Sequence, residues 1–181
     1  LCESNICENF QSTRGDACRV KMDIPRICAG EAGKSCSLLF FFHGAGGNNN
    51  RAYFKDQLHD QGSGKGFIGI YPQGVDNQWN TGSQGSIAQI DEGLFVEAIV
   101  SSLEQYYNWN GFKFSVGFSN GAAQTNRMAV NSGYAFDGVV ASATQLISSP
   151  STSGAGNFNQ NTITEQTRPI PYLSLHGSAD P

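Results

Sequence analysis

Residues 36–42, Cys-Ser-Leu-Leu-Phe-Phe-Phe, form an almost unbroken apolar run of strand length. A strand with one face in water alternates apolar and polar residues, so a run of this kind needs cover on both faces. A parallel sheet between two layers of helices supplies that cover, and the rest of the chain has the matching alternation. Residues 19–24 set Val20, Met22 and Ile24 on one face and predict a strand stopped by Pro25. Residues 66–71 predict a second short apolar strand, broken at Pro72. Further strands are expected over 112–118, 136–141 and 171–175. Between them, 50–61 has helical spacing through Ala52, Tyr53, Phe54 and Leu58. Residues 91–106 predict a helix with Asp91 and Glu92 at its positive end and a stripe of Phe95, Ile99, Leu103 and Tyr106. Another helix is expected over 120–130, and polar loops over 73–86 and 148–169. The expected fold class is α/β, a mostly parallel sheet with helices on both faces in a three-layer sandwich.

The 181 residues suit one domain, and 39% hydrophobic content is enough for a core. Charged residues make up only 14%, with Gly, Ser, Asn and Gln in their place, a balance that suits a secreted protein. A net charge of −4 without a basic run argues against nucleic acid or an anionic membrane as partner. No stretch approaches the roughly 20 apolar residues that span a bilayer. The five cysteines, at 2, 7, 18, 28 and 36, crowd the first fifth of the chain. With no Cys-x-x-Cys spacing and no histidine among them they predict disulfides rather than a zinc site, with the pairing open. Residues 1–35 therefore form a Cys-rich N-terminal segment with an edge strand, and 36–181 the main domain. The start at Leu1 is what signal-peptide removal would leave.

Three motifs carry chemistry. Gly117-Phe118-Ser119-Asn120-Gly121 lies between a predicted strand and a predicted helix. That is the setting of a nucleophile elbow, in which the turn lifts a serine out of the backbone and glycines permit close approach. Its plainer reading is a glycine-rich turn. The strand at 36–42 runs into His43-Gly44-Ala45-Gly46-Gly47, a loop suited to give one of two oxyanion donors. The candidate donors are the backbone N–H groups of Ala45 and Asn120. His43 is a candidate base, set against a role in supporting the loop. Third, the run 172–181 ends a strand in a turn bearing Asp180, which fits the acid of a Ser–acid–His order. An ordinary Asp-Pro turn is the alternative.

With these motifs in order, the chain resembles the secreted polyhydroxybutyrate depolymerase and feruloyl esterase type of α/β-hydrolase. The match runs through FFHGAGG (41–47), IYPQGVDNQWN (70–80), GFSNGAA (117–123) and LHGSADP (175–181), over residues 36–181. The resemblance implies a serine esterase acting on feruloyl or acetyl esters of polysaccharides, or on polyhydroxyalkanoate-type polyesters, without metal or organic cofactor. Ser119 is then the nucleophile, Asp180 the triad acid, and Ala45 and Asn120 the oxyanion positions. Trp79 falls in the Trp-Asn motif, lining the acyl or substrate groove or else pinning a long loop.

The resemblance also places a catalytic histidine downstream of the aspartate, whereas the histidines here are 43, 59 and 176. The expectation is that the domain is C-terminally incomplete and that the remainder supplies the base. The alternative is a catalytically inactive binding or structural protein on a hydrolase scaffold.

Overall fold

A computed structural model describes residues 18–29, 35–49, 66–81, 90–130, 136–143 and 169–178. The expected helix at 50–61, residues 148–168 of the expected loop, Asp180 and the first two cysteines lie outside them. The described residues form a six-stranded sheet in the order β1-β3-β2-β4-β5-β6. The strands are β1 (Val20–Asp23), β2 (Cys36–Phe42), β3 (Phe67–Pro72), β4 (Trp109–Phe118), β5 (Gly138–Ser142) and β6 (Tyr172–Leu175). Two helices accompany them, α1 (Glu92–Glu104) and α2 (Asn120–Val130). All neighbouring strands run parallel except β1, which joins β3 antiparallel.

The apolar run of β2 lies inside the sheet, between β3 and β4. Its Leu38, Phe40, Phe41 and Phe42 are buried, consistent with cover on both faces. Full burial of such a side chain stabilises by roughly 1.5–3 kcal/mol. Phe40 meets Phe136 edge-on, with ring centroids 5.5 Å apart. The same core takes in Cys18, Val20 and Cys28, and β1 forms an edge of the sheet. A disulfide joins Cys28 to Cys36 at the start of β2.

Asp91 caps α1, its side chain accepting the N–H groups of Gly93 (2.9 Å) and Leu94 (3.0 Å). The helix buries Phe95, Val96, Ile99, Val100 and Leu103. It stops at Glu104, two residues short of the sequence expectation. The Tyr106 N–H turns back to the Leu103 carbonyl, and the ring leaves the apolar stripe at 57% exposure. Strand β4 starts at Trp109, three residues earlier than expected. Asn110 and the positive-φ Gly111 carry its first residues, and the Asn110 amide bonds Ser37 Oγ.

Candidate active site

β4 and α2 meet at Ser119, whose φ of +53° is the left-handed turn that an elbow requires. Its N–H donates to the Ser142 carbonyl at the end of β5 (2.9 Å), and its carbonyl accepts the Ala123 N–H (3.0 Å). The flanking glycines are a steric necessity. A Cβ on Gly117 would lie 2.1 Å from the Gly121 carbonyl oxygen, and one on Gly121 would lie 2.0 Å from that of Phe42. The elbow is thus pressed against the end of β2, where the glycine loop begins. A Cβ on Gly44 would sit 3.5 Å from Ser119 Cβ.

Several backbone donors around Ser119 are already engaged. In the glycine loop, the Gly46 N–H is engaged by the Asn77 carbonyl (2.8 Å) and the Gly47 N–H by that of Gly44 (3.0 Å). Among the described residues, the Ala45 N–H has no hydrogen-bond partner. At the elbow, the Ser119 N–H is engaged and Asn120 opens α2. The first N–H groups of a helix have no partner within it and favour negative charge nearby. Of the two sequence-predicted donor positions, Asn120 adjoins Ser119 at the start of α2 and Ala45 follows Gly44 in the loop after β2.

His43 is held as a neutral imidazole. Its Nε2 accepts the Gly74 N–H (3.1 Å) and lies 3.3 Å from the Gln73 side-chain nitrogen. An amide nitrogen can only donate, so the ring proton sits on Nδ1, 2.8 Å from the Gly44 carbonyl. Burial pushes the His43 pKa below its ordinary value, partly offset by the bond to Gly44. With both nitrogens engaged, this histidine supports the loop rather than facing Ser119. His176 is exposed beyond β6, with Nε2 2.8 Å from Ser174 Oγ.

Trp79 is inside the protein, 1% exposed. Its indole N–H donates to the His43 carbonyl (2.8 Å), and its ring meets Phe42 edge-on at 5.0 Å. Its backbone N–H donates to Asn120 Oδ1 (2.7 Å), and Asn120 Nδ2 returns a bond to the Trp79 carbonyl (3.3 Å). In this geometry the side chain ties the 73–81 segment to the loop after β2. That segment is also tight: Asp76 and Asn77 hold positive φ. The next residue, Asn80, accepts from Arg127 and donates to buried Glu92 (3.1 Å) and to the Ile90 carbonyl (2.8 Å). Glu92, expected to serve the α1 dipole, instead turns inward to meet this loop.

Sequence reasoning did not single out the side chain of Asn120, nor Gln73, whose Oε1 accepts the Asn49 N–H (2.9 Å). Their partners lie on other segments, and no local spacing announces them. Nor does any local spacing announce Phe118. It is 55% exposed beside the serine, its ring 3.2 Å from where a Gly44 Cβ would be. Among the described residues, no His, Cys, Asp and Glu cluster could hold a metal.

A parallel sheet with a serine at positive φ between strand and helix is the architecture of the α/β-hydrolases, and the solved structures agree. Poly(3-hydroxybutyrate) depolymerase from Bordetella parapertussis matches with a TM-score of 0.62 at 13% identity, over 88% of this chain and 59% of that one. Poly(aspartic acid) hydrolase-1 from Sphingomonas sp. KT-1 matches at 0.62 and 16% identity, over 89% of this chain and 66% of that one. Acetyl xylan esterase from Aspergillus awamori matches at 0.53 and 19% identity, over 67% and 45%. The chain thus spans about half to two thirds of the length of these structures. No family model and no curated protein sequence matches it.

Proposed function

We propose that this chain carries the nucleophile of a secreted serine esterase that cleaves carboxylic esters through an acyl-enzyme. The observation that carries the reading is Ser119 at positive φ, beside the Gly44 loop and the start of α2. In the first step a histidine, placed by the sequence resemblance downstream of Asp180 and oriented by it, takes the Ser119 proton. Ser119 Oγ bonds to the ester carbonyl carbon, and the resulting oxyanion sits between the Ala45 and Asn120 N–H groups. The alcohol leaves with the proton from the histidine. Water, deprotonated by the same base, then releases the acid and restores the serine. No metal or organic cofactor takes part.

Feruloyl or acetyl esters of polysaccharides and polyhydroxyalkanoate-type polyesters are the proposed substrates, following the sequence resemblance. Secretion is supported by the Cys28–Cys36 disulfide, a bond that persists in oxidising compartments. The test is Ser119→Ala in the full-length protein, with fluorophosphonate labelling and turnover of p-nitrophenyl and feruloyl esters. The wild type should label and turn over, and the variant should do neither. Turnover that persists in the variant would remove Ser119 as nucleophile. A wild type that neither labels nor turns over would favour an inactive binding protein on this scaffold.

A further inference from the structure

The two proposed oxyanion donors sit on different segments, Ala45 on the loop after β2 and Asn120 at the start of α2. An oxyanion is stabilised only if both N–H groups converge on one point, so the spacing of those segments matters for rate. Beside the close backbone approach of Gly121 to Phe42 and His43, one residue is hydrogen-bonded to both segments. The Trp79 indole N–H holds the His43 carbonyl, two residues before Ala45. The Trp79 main chain is held at its N–H and its carbonyl by the side chain of Asn120, whose own backbone supplies the other donor. Resting on the esterase reading above, we propose that Trp79 and the Asn120 side chain form a positioning clamp that sets the separation of the two oxyanion donors.

Three features favour a clamp over a core aromatic that only fills space. The ring is tied at one end and the backbone at the other, with the two ties reaching the two donor segments. The Asn120 amide uses both its oxygen and its nitrogen on a single residue, which fixes its rotamer and the start of the helix. The same loop reaches the donor segment twice more, through the Asn77 carbonyl on the Gly46 N–H and the Gly74 N–H on His43. Gly46 directly follows Ala45, so the donor residue lies between two tied positions, His43 and Gly46. Trp79 and Asn120 are positioning residues here, and their effect should fall on the transition state rather than on substrate binding.

The test uses full-length wild type, Trp79→Phe, Asn120→Ala and the double variant, with kcat expressed per active site titrated by fluorophosphonate. Trp79→Phe keeps the aromatic body and removes the indole donor. Outright loss of an oxyanion donor costs ~100- to 1,000-fold, so misplacement of one should lower kcat by ~10- to 100-fold. KM is expected to stay within about twofold, the signature of an interaction made only in the transition state. The double variant should fall little below the worse single variant, since both changes cut one connection. Normalising to titrated sites removes loss of folded protein from the comparison. Variants with wild-type kcat, an effect confined to KM, or single effects that multiply in the double variant would overturn the clamp while leaving the esterase reading intact. If Trp79→Phe does not fold, Asn120→Ala decides by the same kcat and KM criteria. A wild type without ester turnover would end both proposals.

Discussion

Replacing Gly121 with alanine tests the packing that sets the candidate site. Its Cβ would lie 2.0 Å from the Phe42 carbonyl oxygen and 2.5 Å from that of His43. Real Cβ contacts essentially never fall below 3.0 Å, so the end of β2 and the start of α2 must separate by about 1 Å. Both partners are backbone atoms, so no rotamer change relieves the clash. Overpacking of this kind costs about 3 kcal/mol, the upper part of the usual range. For a domain of this size that is a fall in Tm of roughly 6–12 °C. The same shift would move the loop of Ala45 away from Ser119, and a 1 Å misplacement costs on the order of 100-fold in rate. Gly46→Ala is the comparison. There the φ is +73° and nothing lies within 4 Å, so the cost is backbone strain of about 1–2 kcal/mol. The assays are thermal unfolding followed by circular dichroism and ester turnover per titrated site. A Gly121→Ala protein melting within about 2 °C of wild type, or no worse than Gly46→Ala, would refute close approach as the reason for glycine.

Other consequences are equally open to measurement. His43 is held neutral in the fold with its pKa below the ordinary 6.5, so the unfolded chain takes up a proton first as pH falls. Its stabilising contribution should be complete above about pH 6.5 and decline below it, down to the folded pKa. Urea unfolding from pH 8 to 5 should show this slope flattened in His43→Gln, and an unchanged slope would contradict the neutral tautomer. Paired Cys28→Ser and Cys36→Ser changes should cost about 2.5 kcal/mol from the short loop that the disulfide closes, seen as a lower urea midpoint. Asp91→Ala should cost about 1 kcal/mol through loss of the α1 cap, while Asp91→Asn should retain most of it. Equal losses from both variants would mean that charge, rather than the accepted hydrogen bonds, stabilises that helix end.

Much of this protein is decided by short-range chemistry that a sequence displays. The apolar run 36–42 requires cover on both faces, and it forms an interior strand of a largely parallel sheet. The elbow is equally local. A glycine on each side of Ser119 and a strand-to-helix change of period are enough to place it, because backbone clash acts over a few residues. Side chains that find partners across the chain are another matter. Trp79 reads from sequence as either groove lining or loop anchor, and its burial follows from tertiary bonds to His43 and Asn120. His43 reads as a possible base until Gly74 and Gln73, about 30 positions away, engage its Nε2. Gln124, Thr125 and Asn126 are polar side chains, yet all three are fully buried on α2. Tyr106 keeps the helical spacing of α1 but falls beyond the point where the backbone leaves the helix. Local periodicity and steric demand thus set the order of elements and the turn that presents the serine. Hydrogen bonds between distant segments, which no spacing along the chain encodes, decided which polar groups face that turn and which are used to hold it in place.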